Sequence, residues 1–318
     1  MKLARRPLGN SELTLPILGF GASRLVDTTL ADADATIHAA VERGMDHVDT
    51  APFYGFGESE RRAGHGLAQA PAGFSLSTKV GRLVRPAADG SLATVFDYSF
   101  DGALRSFDES LARLKRDRVD MLILHDVSRR WHGERTDRVF DEAMQGAYKA
   151  LTRWRDEGTV RAIGIGINDC AIALRALAEA NFDFIMLAGR TTPLDQEGFD
   201  AVLPECSRRG VGVIAAAPFN SGILAAGAVP GATYFSQAAP PEIVERTGRI
   251  EVVCARHGVP LRAAALQLPL RHPAVSCVLA GYRSAGEVTG NIADAAHEIP
   301  ADLWSELAAE GLLNSRAA

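Results

Sequence analysis

Eight times along this 318-residue chain a short, continuous apolar run gives way to a longer stretch with helical spacing. The runs read ILGF (17–20), HVD (47–49), FSLSTK (74–79), VDMLILHD (119–126), VRAIGIGIND (160–169), FDFIMLAG (182–189), VGVIAAAP (211–218) and VSCVLA (275–280). Apolar runs of this length, without polar alternation, are the mark of strands buried on both faces, which belong to parallel sheets. The stretches between them carry one apolar face each. In SFDGALRSFDESLARLK, for example, Leu104, Phe107, Leu111 and Leu114 fall on one side. ADATIHAAVERG has an acidic start and stops at Gly44. Strand-then-helix repetition without a linker or a break in composition predicts an α/β fold, one closed (β/α)8 TIM barrel domain spanning 1–318. RPLGNSELTLP, with its Gly-Asn turn, predicts an N-terminal β-hairpin, and ADLWSELAAEGLL predicts an extra C-terminal helix. Phe140 to Glu157 reads as one helix, as does Gly198 to Arg209. A doubly wound open sheet is the alternative topology. Against it, GFGASRL after the first run lacks the third glycine of a dinucleotide fingerprint and enters no helix directly.

Charge and composition narrow the partners. The chain is 47% hydrophobic with a formal net charge of -5, so it has no electrostatic footprint for nucleic acid. It has no apolar run of about eighteen residues that would span a membrane. Arg5-Arg6 is followed by PLGNSELTLP rather than by the apolar region of a secretion signal. Cys170, Cys206, Cys254 and Cys277 are scattered, with neither a CxxC nor a metal-ligand spacing. They read as reduced and structural, and the expectation is a soluble cytoplasmic protein that holds no metal and acts on a small molecule.

Three of the apolar runs end on groups able to carry charge: Asp49, Lys79 and His125. Tyr54 lies in the Gly-rich turn that follows the first of them. In a β/α barrel such strand ends converge on one face. An Asp and a Lys from neighbouring strands can pair there, with the phenol held against the cation. A nearby positive charge favours phenolate and lowers the phenol's pKa, so that Tyr54 can exchange a proton with a substrate oxygen near neutral pH. Each residue also has a plainer role. Asp49 can cap the next helix, Lys79 can be a solvated strand-end charge, Tyr54 can be loop packing, and His125 can be a satisfied core histidine. Convergence on one face favours the chemical reading of Asp49, Tyr54 and Lys79, and says less about His125.

GMDHVDTAPFYGFGESERRAG, LSTKVGR and VDMLILHD together resemble the aldo-keto reductases, and the resemblance covers nearly the whole chain. It implies a barrel that binds a nicotinamide cofactor without a Rossmann domain, and a tetrad of Asp49, Tyr54, Lys79 and His125. In that tetrad Tyr54 is the acid/base, Lys79 paired with Asp49 lowers its pKa, and His125 orients the carbonyl or carbinol. The same resemblance suggests cofactor contacts. Asn168 in GINDC faces the carboxamide, and Arg190 in LAGR is presented to the same face. Ser221, Gly222 and Leu224 in PFNSGIL grip the pyrophosphate, where backbone N–H groups suit an anion. The usual aromatic before that proline is replaced by Ala215-Ala216-Ala217, leaving Phe219 as the candidate to stack on nicotinamide. Gly21 and Gly281, after the first and last runs, complete the expected cradle. In AGYRSAGEVTGN, Asn291 matches the residue that reads adenine, and Glu287 stands where NADPH-specific members carry an arginine. A carboxylate there repels a 2′-phosphate and accepts from ribose hydroxyls, so NAD is expected over NADP, although Arg283 one turn back can take a phosphate. A plain exposed i,i+4 pair between Arg283 and Glu287 is the other reading.

VFDYSFDGALRSFDESLARLKRDRVD, LAGRTTPLDQ and AALQLPLRHPAVSCVLAGYRSAGEV resemble the branch of L-fucose (D-threo-aldose) 1-dehydrogenases, L-galactose dehydrogenases and pyridoxal 4-dehydrogenases. That branch implies oxidation of a cyclic hemiacetal to its lactone, with Phe53, Arg129 and Trp131 shaping the substrate mouth or simply packing the loops. Two other readings stand beside it. One is an NADPH-dependent aldehyde or ketone reductase acting on xenobiotic or mycotoxin-like carbonyls. The other is a nicotinamide-binding regulatory subunit.

Overall fold

The computed structural model describes residues 3–317. Strands β1 (Arg5–Pro7) and β2 (Thr14–Pro16) form an antiparallel hairpin. β3 (Leu18–Gly21), β4 (His47–Asp49) and β5 (Ser75–Val80) follow as neighbouring parallel strands. A second hairpin, β6 (Arg82–Pro86) and β7 (Leu92–Phe96), interrupts the alternation. β8 (Met121–His125), β9 (Ala162–Ile167), β10 (Phe184–Ala188) and β11 (Gly212–Ala216) continue the parallel series. The two-residue strands β12 (Thr233–Tyr234) and β13 (Gln237–Ala238) make a small third hairpin. β14 (Val275–Gly281) then pairs with both β11 and β3, closing an eight-stranded parallel barrel with helices around it. The expected (β/α)8 architecture, N-terminal hairpin and extra C-terminal helix (Ala301–Ala309) are all present.

Successive side chains on a strand point to opposite faces. Leu122, Leu124, Ile163, Ile165, Ile185 and Leu187 point outward and join the helices in one large core. Met121, Ile123, Ala162, Phe184, Met186, Ile214, Cys277 and Leu279 point inward and pack with Leu8, Leu13 and Leu15 of the N-terminal hairpin. The hairpin therefore plugs the N-terminal mouth, held by the Ser276 hydroxyl donating to the Pro7 carbonyl at 2.7 Å and the Arg6 guanidinium donating to the Val275 carbonyl at 2.9 Å. With that end sealed by apolar side chains, polar inward residues gather at the C-terminal ends of the strands. The four cysteines are free and buried, and among the described residues no helix is long and apolar enough to cross a membrane.

The structure departs from the sequence reading at several places. The stretch expected as one helix over Phe140 to Glu157 is two, Thr136–Gln145 and Ala147–Asp156. They break at Gly146, where a Cβ would stand 2.3 Å from the Tyr98 carbonyl oxygen. The helix expected over Gly198 to Arg209 opens with a wider π turn, Gly198–Val202. The β6–β7 hairpin was not foreseen, although Asp89-Gly90 between two apolar pieces is a hairpin signal.

Inward glycines make room inside the barrel. A Cβ on Gly164 would lie 2.5 Å from the ring of Phe184, which is fully buried. Gly164→Ala is expected to destabilise the protein by about 1–3 kcal/mol through overpacking. Urea unfolding will show this as a lowered midpoint at unchanged slope. Adding Phe184→Leu should restore part of the loss, because the pair is in contact and therefore couples.

Candidate active site

Register brings the four candidate residues together. β4 pairs with β5 so that Asp49 faces Ser77, and β5 pairs with β8 so that Lys79 faces Ile123, two residues before His125. Asp49, Lys79 and His125 thus project inward from the ends of adjacent strands, while Tyr54 reaches the same point from the turn after β4. Lys79 Nζ donates to Asp49 Oδ2 at 2.5 Å and to the Thr50 carbonyl at 2.8 Å. The Ser77 hydroxyl donates to Asp49 Oδ1 at 2.7 Å. Lys79 is 1% exposed and Asp49 2%. Burying the pair without these partners would cost several kcal/mol per ion. Burial alone draws the Lys79 ammonium down, but Asp49 and then Tyr54 outweigh it and hold the lysine above its ordinary value. Burial pushes the Asp49 carboxyl up, against the pull of Lys79 and Ser77. At this separation the charge-assisted hydrogen bond decides the matter, and the pair is ionised.

Lys79 Nζ stands 5.1 Å from the Tyr54 ring centroid. The phenol nonetheless lies above its ordinary pKa. Burial pushes it up, Lys79 pulls it down, and Asp49 and Asp126 push it up again. The expected net lowering is thus absent in the protein by itself, chiefly because burial disfavours the phenolate, with Asp49 and Asp126 adding to it. His125 packs edge-on to Tyr54, with ring centroids 6.0 Å apart. Burial lowers its pKa to about 3, against a partial rise from Asp126, so the imidazole is neutral at physiological pH. Its Nε2 is 3.5 Å from Asp126 Oδ2, and its buried Nδ1 has no hydrogen-bond partner among the described residues.

These residues open onto a cavity of about 820 Å³ that runs to a far end at Arg262, Arg283, Glu287 and Asn291. Gly21, Asn168, Phe219, Ser221, Gly222 and Gly281 line the way between, and Phe53 and Trp131 line the mouth. The turn after β11 is strained. Ala217, Asn220 and Ser221 all adopt positive φ, at 53°, 43° and 63°, which concentrates at functional sites. The Ser221 hydroxyl accepts from the Ser236 N–H at 2.8 Å, tying the small β12–β13 hairpin to this turn.

Three expected contacts lie elsewhere. The Arg190 guanidinium is turned away from the cavity, donating to the Asn168 carbonyl at 2.8 Å and to Asp195 at 2.7 Å. Leu224 is fully buried outside the cavity, and its amide and that of Gly222 both donate to the Phe219 carbonyl. Arg129 points to solvent beside Asp169, and the short helix Arg129–His132 instead turns Arg130 and Trp131 to the cavity. Arg82, Asp126, Arg130 and Arg262 belong to the site's surroundings and were not foreseen. Asp126 had a signal, since it directly follows His125 at a strand end.

The donor set fits a dinucleotide. The Asn168 side chain faces the cavity without a partner among the described residues, as a carboxamide reader requires. Two guanidiniums and an amide stand at the other end, with Asn291 Oδ1 accepting from Arg262 at 2.9 Å. Glu287 is engaged with Arg283, accepting from its backbone N–H at 2.8 Å and its guanidinium at 3.1 Å. The exposed i,i+4 pair therefore exists, and both of its members also line the cavity.

Comparison with known proteins agrees with this geometry. The model of the Aldo/keto reductase family matches residues 17–310. The chain is 37% identical to a pyridoxal 4-dehydrogenase of Microbacterium luteolum, over 98% of each chain. It is 39% identical to a D-threo-aldose 1-dehydrogenase of a Pseudomonas species, over 95% of each. Among solved structures, the holo form of an aldo-keto reductase from Bacillus halodurans superposes with a TM-score of 0.78 at 24% identity, covering 99% of this chain and 100% of the other, and shares the fold.

His47 resembles His125 electrostatically. It is fully buried at the start of β4, and burial followed by the charge of Lys79 lowers its pKa to about 3. An unfolded histidine titrates near 6.5, so below that pH the unfolded chain binds protons that the folded one refuses. Stability must therefore fall as pH drops from about 6.5 towards 3. Between pH 7 and pH 5 the loss is about 2 kcal/mol per histidine. Urea midpoints at the two pH values will read it, and His47→Gln should narrow the gap by one histidine's worth.

Proposed function

The chain belongs to the aldo-keto reductase family, and we propose that within it the protein is an NAD-dependent dehydrogenase that oxidises a cyclic hemiacetal, an aldose or pyridoxal, to its lactone. That it is an NAD(P)-dependent oxidoreductase follows from the family. The observation that carries the finer reading is the buried Lys79–Asp49 pair beneath Tyr54, beside a neutral His125, all opening on one cavity. The names of the two relatives support the hemiacetal class.

In the proposed reaction the hemiacetal hydroxyl lies between the Tyr54 oxygen and His125 Nε2. Neutral imidazole donates Nε2–H to that oxygen and fixes its lone pairs. Tyr54, as phenolate, takes the hydroxyl proton while the C–O bond becomes C=O. Lys79 holds the phenolate through its fixed positive charge, and Asp49 keeps the ammonium aimed and protonated. NAD, held by the cavity's polar lining, would supply the hydride acceptor for the C–H bond. Each turnover converts hemiacetal and NAD to lactone, NADH and one proton. Because burial keeps the Tyr54 phenol above its ordinary pKa in the protein alone, the oxidation should speed up as pH rises. Aromatic walls at Phe53 and Trp131 with a few polar groups suit a small polyol or a pyridine ring.

Two measurements test this reading. Absorbance of reduced nicotinamide, with NAD or NADP and L-fucose, L-galactose, D-arabinose or pyridoxal, should show NAD reduced by at least one of them. Tyr54→Phe should lose at least a hundredfold in kcat and still bind NAD. Silence with every hemiacetal, together with NADPH consumption on simple aldehydes, would reverse the assignment. Cofactor choice has its own test. Glu287 neutralises Arg283, the guanidinium best placed for a 2′-phosphate. Glu287→Ala should release it and move the ratio of kcat/KM values for NADP over NAD upward by about tenfold, the effect of one phosphate contact.

A further inference from the structure

A second buried ion pair stands on the other side of His125. Arg82, 3% exposed, donates through Nη1 to Asp126 Oδ2 at 2.5 Å and through Nη2 to the Thr94 hydroxyl at 3.2 Å. Its guanidinium carbon lies 3.4 Å from the ring centroid of Phe53, 4.3 Å from Trp131 and 4.7 Å from Phe96. Three aromatic faces thus box it in, and Asp126 is its ion-pair partner among the described residues. Asp126 is held as firmly from the backbone. It adopts φ of 62°, its N–H donates to the Gly166 carbonyl at 3.0 Å, and its carbonyl meets His132 Nε2 at 3.2 Å. The left-handed residue folds its carboxylate back towards His125, where Oδ2 stands 3.5 Å from Nε2. Oδ1 accepts nothing from any described residue and is not sealed from solvent, and Asp126 lines the cavity.

Resting on the hemiacetal reading above, we propose that Asp126 is a substrate-specificity residue: its free Oδ1 accepts a hydrogen bond from a hydroxyl on the substrate carbon skeleton next to the reacting carbon, and Arg82 in its aromatic box fixes it there. The reacting oxygen rests on His125 Nε2, and a hydroxyl one carbon away is about one hydrogen-bond length from it, which places that hydroxyl at Asp126. An aldose offers its 2-hydroxyl there. A pyridoxal hemiacetal offers its ring hydroxyl, a little further along. A carboxylate accepts and does not donate, so the site selects a hydroxyl over an ether or a bare carbon. Phe53 and Trp131, which box Arg82 on one face, also line the mouth and give the C–H face of the substrate an apolar wall.

The test compares the preferred substrate with its analogue lacking that hydroxyl: a 2-deoxy aldose, or 3-deoxypyridoxal. The wild type should favour the hydroxylated substrate in kcat/KM by on the order of thirtyfold, the value of one charged hydrogen bond. Asp126→Gly suits φ of 62° without strain and should bring that ratio within about threefold. Asp126→Asn, which also tolerates positive φ and keeps a bond to Arg82, should give an intermediate ratio and guards against a folding failure in the glycine variant. An unchanged ratio in both variants, or an equal loss on both substrates, would overturn the proposal and leave Asp126 as a mere support of His125. If the wild type oxidises no hemiacetal at all, the hemiacetal reading itself fails, and this inference falls with it; the wild-type rate alone identifies that case.

Discussion

A buried lysine needs a buried anion, and in this protein that requirement organises the catalytic end of the barrel. Lys79 points inward from β5 and is almost wholly buried, and Asp49 stands on the adjacent strand at the register that lets them meet. Ser77 and the Thr50 carbonyl satisfy the valences the pair leaves over. Thr50 in turn shares a hydrogen bond with Ser59, whose hydroxyl donates to the Ala22 carbonyl after β3. The turn carrying Tyr54 is therefore fastened between two strand ends and the helix Glu58–Gln69. The position of the phenol follows from the solvation of the ammonium.

The same pair sets the limits of the chemistry. A cation alone would draw Tyr54 towards phenolate, but Asp49 returns part of that effect, and burial works against the charged form throughout. The protein by itself therefore stores Tyr54 as a phenol. A cationic group bound beside the phenol would shift that balance towards phenolate.

The fold and the clustering of the candidate residues were legible because both rest on short-range rules. Apolar runs followed by amphipathic stretches gave the barrel, and a charged residue at a strand end gave Asp49, Lys79 and His125. Where the outcome depended on side-chain direction within a loop, the sequence carried too little. Arg190 leaves the cavity because Asp195 and Asp169's neighbour Asn168 offer it closer partners, and no periodicity encodes that. Arg129 and Arg130 differ by one position on a single helical turn, and only the local rotation decides which meets the cavity. Arg82 arrives on a hairpin inserted between barrel strands, so its distance in space from His125 bears no relation to its place in the strand pattern.

His125 stands between two ion pairs, Lys79–Asp49 and Arg82–Asp126, and each pair is close to neutral as a unit. From the imidazole, two cations oppose protonation and the nearest anion favours it, which leaves desolvation as the largest influence. A neutral imidazole can then donate one N–H to an oxygen without competing with Tyr54 for the proton. Had either pair been replaced by a single charge, His125 would have been drawn towards imidazolium by an anion or pushed further from it by a cation, with its donor role tied to pH. Paired charges let the site hold strong local fields for orientation while leaving the proton inventory to one residue. In the proposed reaction that division gives the proton to Tyr54 and orientation to His125, and it leaves the second anion, Asp126, with an oxygen not engaged by any described residue.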